Sequence, residues 1–173
     1  MKVAIIIGHD KTSPGAFSKV LGQSEYIYNS EVAANLSGVA DIYKRPVANG
    51  YKTQMEILAK QINQKNYDLV LELHFNSFNN IANGCETVGF VGNDKTKKIG
   101  ESYCDVISKA YNINNRGHKT SPAGGRGYWF LKLMNAPALI LEPFFGDNQE
   151  AEKFIDPKKY ACSIKEWLLK IQI

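Results

Sequence analysis

The chain predicts a single α/β domain, on three observations. Strand-sized apolar runs alternate with segments of helical hydrophobic period, an order that favours α/β over separate strand and helix blocks. The length, 173 residues, suits one domain with a core large enough to need no disulfide staples. Three of the apolar runs end on a residue able to hold or use a metal. Val3–Ile7 leads into Gly8 and His9, Leu69–Leu73 into His74, and Ala138–Leu141 into Glu142. Ligand sites in α/β sheets form beyond the carboxyl ends of strands, so these distant residues can converge.

Each element has its own signal. The first strand covers 2–7, and Lys11 to Gln23 is a loop carrying Gly, Ser and Pro. Ser24 is suited to cap a helix over 24–39. A short strand at 41–45 stops at Pro46. A second helix over 51–65 places Met55, Leu58, Ala59 and Ile62 at helical spacing. The strand 68–74 is followed by an Asn/Ser loop, and 84–91 reads as another strand. A helix at 95–110 has Ile99, Tyr103, Val106, Ile107 and Ala110 in register. Residues 112–127, rich in Gly, Asn and basic side chains, read as a loop. Strands near 128–132 and 137–142 come next, then a short helix after Asp147 and a terminal helix over 157–171. There is no repeat, low-complexity tract or linker, so 1–173 is expected to be one unit.

Composition removes several classes of function. The net charge of +4 is modest, and neither a long Lys/Arg block nor a nucleic-acid motif is present, so nucleic acid is not an expected partner. The longest apolar runs fall far short of the roughly 20 residues that cross a bilayer, so no membrane span is expected. Met1 and Lys2 pass straight into a strand, which predicts synthesis in the cytoplasm without a secretory signal. Cys85, Cys104 and Cys162 show no CxxC pairing and are expected to be reduced thiols. No GxGxxG or P-loop spacing supports a phosphate-binding domain.

A catalytic zinc site takes three ligands from His, Glu, Asp or Cys and leaves a position open. His9 and His74, at equivalent strand ends, are two candidates. The first helix offers Glu25 and Glu31 for the third. At about 100° per residue, Val32, Leu36 and Val39 fall within roughly 40° of Glu25 and form the stripe that should face the sheet. Glu31 lies about 120° away, on the solvent side. Glu25 is therefore preferred as a ligand, over a role confined to the helix dipole.

Glu142, before Pro143, would act as general base and then proton donor if it reaches a metal-bound water; a structural ion pair is the alternative. Glu72 shares a strand face with His74 and can be a fourth ligand, an ion pair or, as favoured here, a group that orients a histidine. His118 reads as a surface histidine in a flexible loop. Asn76 either orients the site or turns the chain.

The same residues reproduce a family pattern. Ile5–His9, Glu25–Asn29, Leu71–Ser77, Asn115–Gly117 and Ala138–Asn148, in that order, resemble the zinc-dependent N-acetylmuramoyl-L-alanine amidases of the Amidase_3 type, particularly catalytic domains of phage endolysins. The resemblance implies zinc (Zn2+) held by His9, Glu25 and His74, with Glu142 catalytic. It also implies a mixed, mostly parallel six-stranded sheet flanked by helices. The implied substrate is peptidoglycan (a muropeptide), cut between N-acetylmuramic acid and L-alanine by a monomer acting on the cell wall after release. Arg116, Arg126 or Lys119 would then meet stem-peptide carboxylates, and Trp129 or Tyr128 would stack on sugar. Two departures stand out: Asp10–Pro14 replaces a more glycine-rich stretch, and the loop Lys119 to Gly127 is individual. A zinc peptidase or deacylase on another amide, or a non-catalytic peptidoglycan-binding module, are the competing readings.

Overall fold

A computed structural model describes residues 1–171; the single-domain expectation extends two residues further, and these lie outside the described residues. Strands β1 (Val3–Ile7), β4 (Asp41–Lys44), β5 (Leu69–Leu73), β6 (Cys85–Phe90), β7 (Asn115–Ser121) and β8 (Ala138–Glu142) form one sheet in the order β4-β1-β5-β8-β6-β7. β1 pairs in parallel with β4 and β5, and β5 with β8. β6 is antiparallel to β8 and parallel to β7, so the last two strands run the other way. The amino ends of β6 and β7 therefore lie at the same sheet edge as the carboxyl ends of β1, β5 and β8. A two-residue hairpin, β2 (Phe17–Ser18) with β3 (Gln23–Ser24), folds within the loop before the first helix.

Strand periodicity divides the core in two. Val3, Ile5, Ile7, Leu71 and Leu139 face α1 (Glu25–Leu36), α3 (Asp94–Tyr111) and α5 (Pro157–Lys170), where Tyr28, Tyr103, Tyr160 and Trp167 are buried. Ala4, Ile6, Val70 and Ile140 face α2 (Tyr51–Ile62) and α4 (Tyr128–Leu133), where Met55, Leu58 and Phe130 fill the other layer. Helix starts follow their capping residues. Ser24 accepts from the Ile27 amide, Asn93 from Thr96, and Asp156 from Lys158 and Lys159 with Pro157 at the first helical position.

Some expectations need correction. The run 128–132 is the helix α4, not a strand. Tyr-Trp-Phe-Leu has strand-like composition, but short apolar runs do not reveal their period, and here Phe130 and Leu131 pack on the sheet face beside α2. Residues 112–127 contain the edge strand β7, whose polar, half-exposed side chains carry no apolar alternation. His118 accordingly lies on a strand, half-buried, with Nδ1 3.0 Å from Thr87 Oγ1, and not in a flexible loop. α1 ends at Leu36, so Val39 is beyond it and exposed, while Val32 and Leu36 are buried as expected. The short helix expected after Asp147 is a 3-10 turn at Gln149–Phe154.

Candidate active site

His9, Glu25 and His74 meet at the carboxyl edge of the sheet. β1 ends at Ile7, and Gly8 donates its amide to Leu73 O at 3.0 Å, locking the two strand ends together. A side chain at position 8 would stand 2.3 Å from Leu73 O and 2.6 Å from the His74 ring, so only glycine permits this approach. His9 follows in the left-handed region, φ 64°, which turns its ring back over the edge. Glu25 enters from the first turn of α1 and is buried, whereas Glu31 is exposed on the same helix.

The Glu25 carboxylate lies between the two imidazoles. Its Oε2 is 3.2 Å from His9 Nε2, and its Oε1 is 2.7 Å from His74 Nδ1. The amides of Phe75 (3.1 Å) and Ala16 (3.3 Å) also donate to it. Burial pushes this carboxyl up, but hydrogen bonds and charge from His74 and His9 prevail and hold it at about 2. One ligand atom from each of the three residues lies within 4.8 Å of the others, the only such cluster among the described residues.

On its far side, His74 Nε2 faces Glu72 Oε2 at 3.3 Å, and the other Glu72 oxygen accepts from Arg45 Nη2 at 2.6 Å. Glu72 is fully buried; burial raises its carboxyl, and Arg45 and His74 bring it down to about 2. Burial alone would lower His74, yet Glu72 and Glu25 on either side raise it to about 10. Glu72 thus faces the ring nitrogen of His74 that points away from Glu25. Two imidazoles, one carboxylate and a carboxylate behind a histidine form a donor set that fits zinc.

Glu142, at the end of β8, lines the same cleft of about 360 Å³ as His9, Glu25 and His74. Burial raises its carboxyl to about 7, with Arg126 and His74 opposing. Arg126 Nη1 donates to Glu142 Oε2 at 2.9 Å, and its Nη2 donates to Glu86 Oε1 at 2.8 Å. Arg116 Nε reaches Glu86 Oε2 at 2.7 Å, and Asn76 Nδ2 reaches Glu86 Oε1 at 3.0 Å. The Asn76 backbone bridges in parallel to the segment after β8, donating its amide to Phe144 O and accepting from Gly146 N.

Of the residues expected to meet substrate, Arg126 lines the cleft, whereas Arg116, Lys119, Tyr128 and Trp129 do not; Asn76 also lines it. The Lys119 ammonium donates to Arg116 O, and Trp129 packs beneath Lys52 and Lys132. The site also contains groups that sequence reasoning missed. Arg45 follows β4 and precedes Pro46, but it is not a metal-capable type, so its strand-end position gives no signal of that kind; Tyr51 lies beneath its guanidinium. Glu86 is a lone carboxylate in a strand otherwise buried, a signal that it must be paired.

Solved structures share this architecture. The catalytic domain of the CD27L endolysin targeting Clostridia difficile is 25% identical, with a TM-score of 0.82, covering 100% of this chain and 99% of that one. The CwlD amidase from Clostridioides difficile, solved with the GerS lipoprotein, is 18% identical at a TM-score of 0.76, over 98% of this chain and 99% of its own. The apo form of the Ami1 amidase from Mycobacterium abscessus is 12% identical at 0.73, over 97% of each chain. No curated protein sequence matches. The profile of the family described as N-acetylmuramoyl-L-alanine amidase matches residues 3–170. With nearly its whole length accounted for in this way, the chain belongs to the Amidase_3 family of N-acetylmuramoyl-L-alanine amidases.

Proposed function

We propose that this protein is a zinc-dependent peptidoglycan hydrolase that cleaves the amide between N-acetylmuramic acid and the L-alanine of the stem peptide. The observation that carries the reading is one cleft lined by His9, Glu25 and His74 and, facing them, by Glu142. His9, Glu25 and His74 would hold the ion. When bound, zinc supplies Lewis-acid polarisation of the scissile carbonyl and makes water more acidic.

The chain's own residues do the remainder. Glu72, 3.3 Å from Nε2 of His74, favours a proton on that nitrogen and so leaves Nδ1 as the donor atom. Burial gives the Glu142 carboxyl an affinity for protons near neutrality, which lets it take one from the attacking water and return it to the α-nitrogen of L-alanine. Water oxygen becomes bonded to the lactyl carbonyl carbon as the carbon–nitrogen bond breaks. Arg126 holds one oxygen of Glu142 in place during these transfers.

The similarity to an endolysin catalytic domain along the whole chain supports a lytic role, with a monomer of phage or prophage origin acting on the wall after release. Mass spectrometry of digested peptidoglycan tests the bond assignment: new L-alanine amino termini are expected, and cleavage within the stem would mark a peptidase instead. Glu142→Gln should keep one zinc per chain while losing on the order of 10²–10⁴ of the rate. Normal cleavage by that variant would remove Glu142 from the mechanism.

A further inference from the structure

Glu86 stands directly opposite Glu142 in the antiparallel register of β6 and β8. Both carboxylates are buried, on the sheet face that Val88 and Ile140 turn towards α2 and α4. Facing side chains at such positions have Cβ atoms roughly 4.5–5.5 Å apart, so two anions there require cations between them. The donors are unequally shared. Glu86 accepts from Arg116, Arg126 and Asn76, whereas Glu142 accepts from Arg126 alone, through Oε2. Glu142 Oε1 accepts no hydrogen bond from the described residues, and Glu142 lines the cleft.

Arg126 needs an anchor. It follows Gly124 and Gly125 and precedes Gly127, with Gly124 and Gly127 at positive φ, and its side chain is 47% exposed. A guanidinium on such a backbone would be free to swing between Glu142 and solvent. Glu86, buried and already held by Arg116 and Asn76, offers it a second carboxylate in a fixed place. The two arms of Arg126 then straddle Glu86 and Glu142.

We propose that Glu86 is a positioning residue for the hydrolysis: it holds the Arg126 guanidinium against one oxygen of Glu142, so that the other oxygen alone is presented to the water. This rests on the reading of Glu142 as the proton acceptor. Glu86 touches neither substrate nor the candidate metal ligands in this arrangement; it acts through Arg126.

The test is a double-mutant cycle on muropeptide hydrolysis with zinc content measured for every variant. Glu86→Gln and Arg126→Gln are each expected to keep zinc and to lower kcat on the order of 10- to 100-fold, with KM within about twofold of wild type. Because both act through one contact, the double variant should be no more than about threefold slower than the slower single variant. An unchanged kcat in Glu86→Gln, a raised KM at unchanged kcat, or a fully multiplicative loss in the double variant would overturn the proposal. If Glu86→Gln does not fold, Arg116→Gln replaces it, since Arg116 holds Glu86 and, among the described residues, donates no hydrogen bond to Glu142. Arg116→Gln should then lower kcat in the wild-type background and not in Arg126→Gln; equal losses in both overturn the idea. A wild type that holds zinc yet releases no L-alanine amino termini removes the functional reading and this proposal together. An active wild type with an indifferent Glu86→Gln removes the proposal alone.

Discussion

Glu25 lies between two imidazoles and accepts from two backbone amides, and Glu72 closes the arrangement from behind His74. A buried carboxylate with no partner would be expensive, and here one oxygen of Glu72 accepts from Arg45 while the other lies 3.3 Å from His74 Nε2. Replacing it by an amide keeps the volume but removes the charge that orients the histidine. Glu72→Gln should therefore weaken zinc binding on the order of 10- to 100-fold, read by competition with a chromophoric chelator. Affinity equal to wild type would show that the carboxylate has no hold on the ligand. Both Glu25 and Glu72 are legible in the sequence. Glu25 shares a face with the apolar residues of its helix, and Glu72 precedes His74 by the two residues that return a strand to the same side. Arg45 carries no such signal, and Glu86 only the sign that it needs a partner, because the partners lie 27 and 30–40 residues away.

At the scale of elements, α1 delivers Glu25, and α5 packs across α1 to hold it on the sheet. The Tyr28 hydroxyl donates to Phe154 O at 2.9 Å, and Trp167 is fully buried in the same layer. α5 is capped by Asp156, whose carboxylate accepts from the Lys158 and Lys159 amides at 2.9 and 3.2 Å, with Pro157 next. Removing this cap in Asp156→Ala should cost about 1 kcal/mol in urea denaturation while leaving kcat per folded molecule unchanged. A change in kcat at unchanged stability would mean that α5 tunes the site rather than supporting it. Helices with strong spacing, such as α2, α3 and α5, are readable from the sequence to within a few residues. β7 and α4 are not. One is an edge strand without an apolar face, and the other is an aromatic run whose conformation depends on what it packs against.

The whole molecule stores a cost in Glu142. The folded protein raises this carboxyl from an ordinary 4.5 to about 7, chiefly by burial, so it holds the proton more tightly than the unfolded chain. The contribution to stability is thus complete at low pH and is lost as pH rises from about 4.5 to about 7. In metal-free protein, Glu142→Gln should match wild type near the acid end of that window. Above it the variant should be the more stable, by on the order of 3 kcal/mol, in denaturant titrations run across pH. A constant difference at every pH would mean that the carboxyl titrates normally in the folded state.

Periodicity and strand-end chemistry by themselves determined that the chain is α/β, which faces of α2, α3 and α5 are buried, and that His9, Glu25, His74 and Glu142 can converge at one edge. These are properties of short stretches, since side-chain direction repeats every two residues in a strand and about every 3.6 in a helix. Only the tertiary structure decided that β6 and β7 run against the other strands, which brings the amino end of β6, with Glu86, to the edge where the others finish. Strand direction and order arise from hydrogen bonds between segments far apart in the chain, and no local pattern of apolar residues records them.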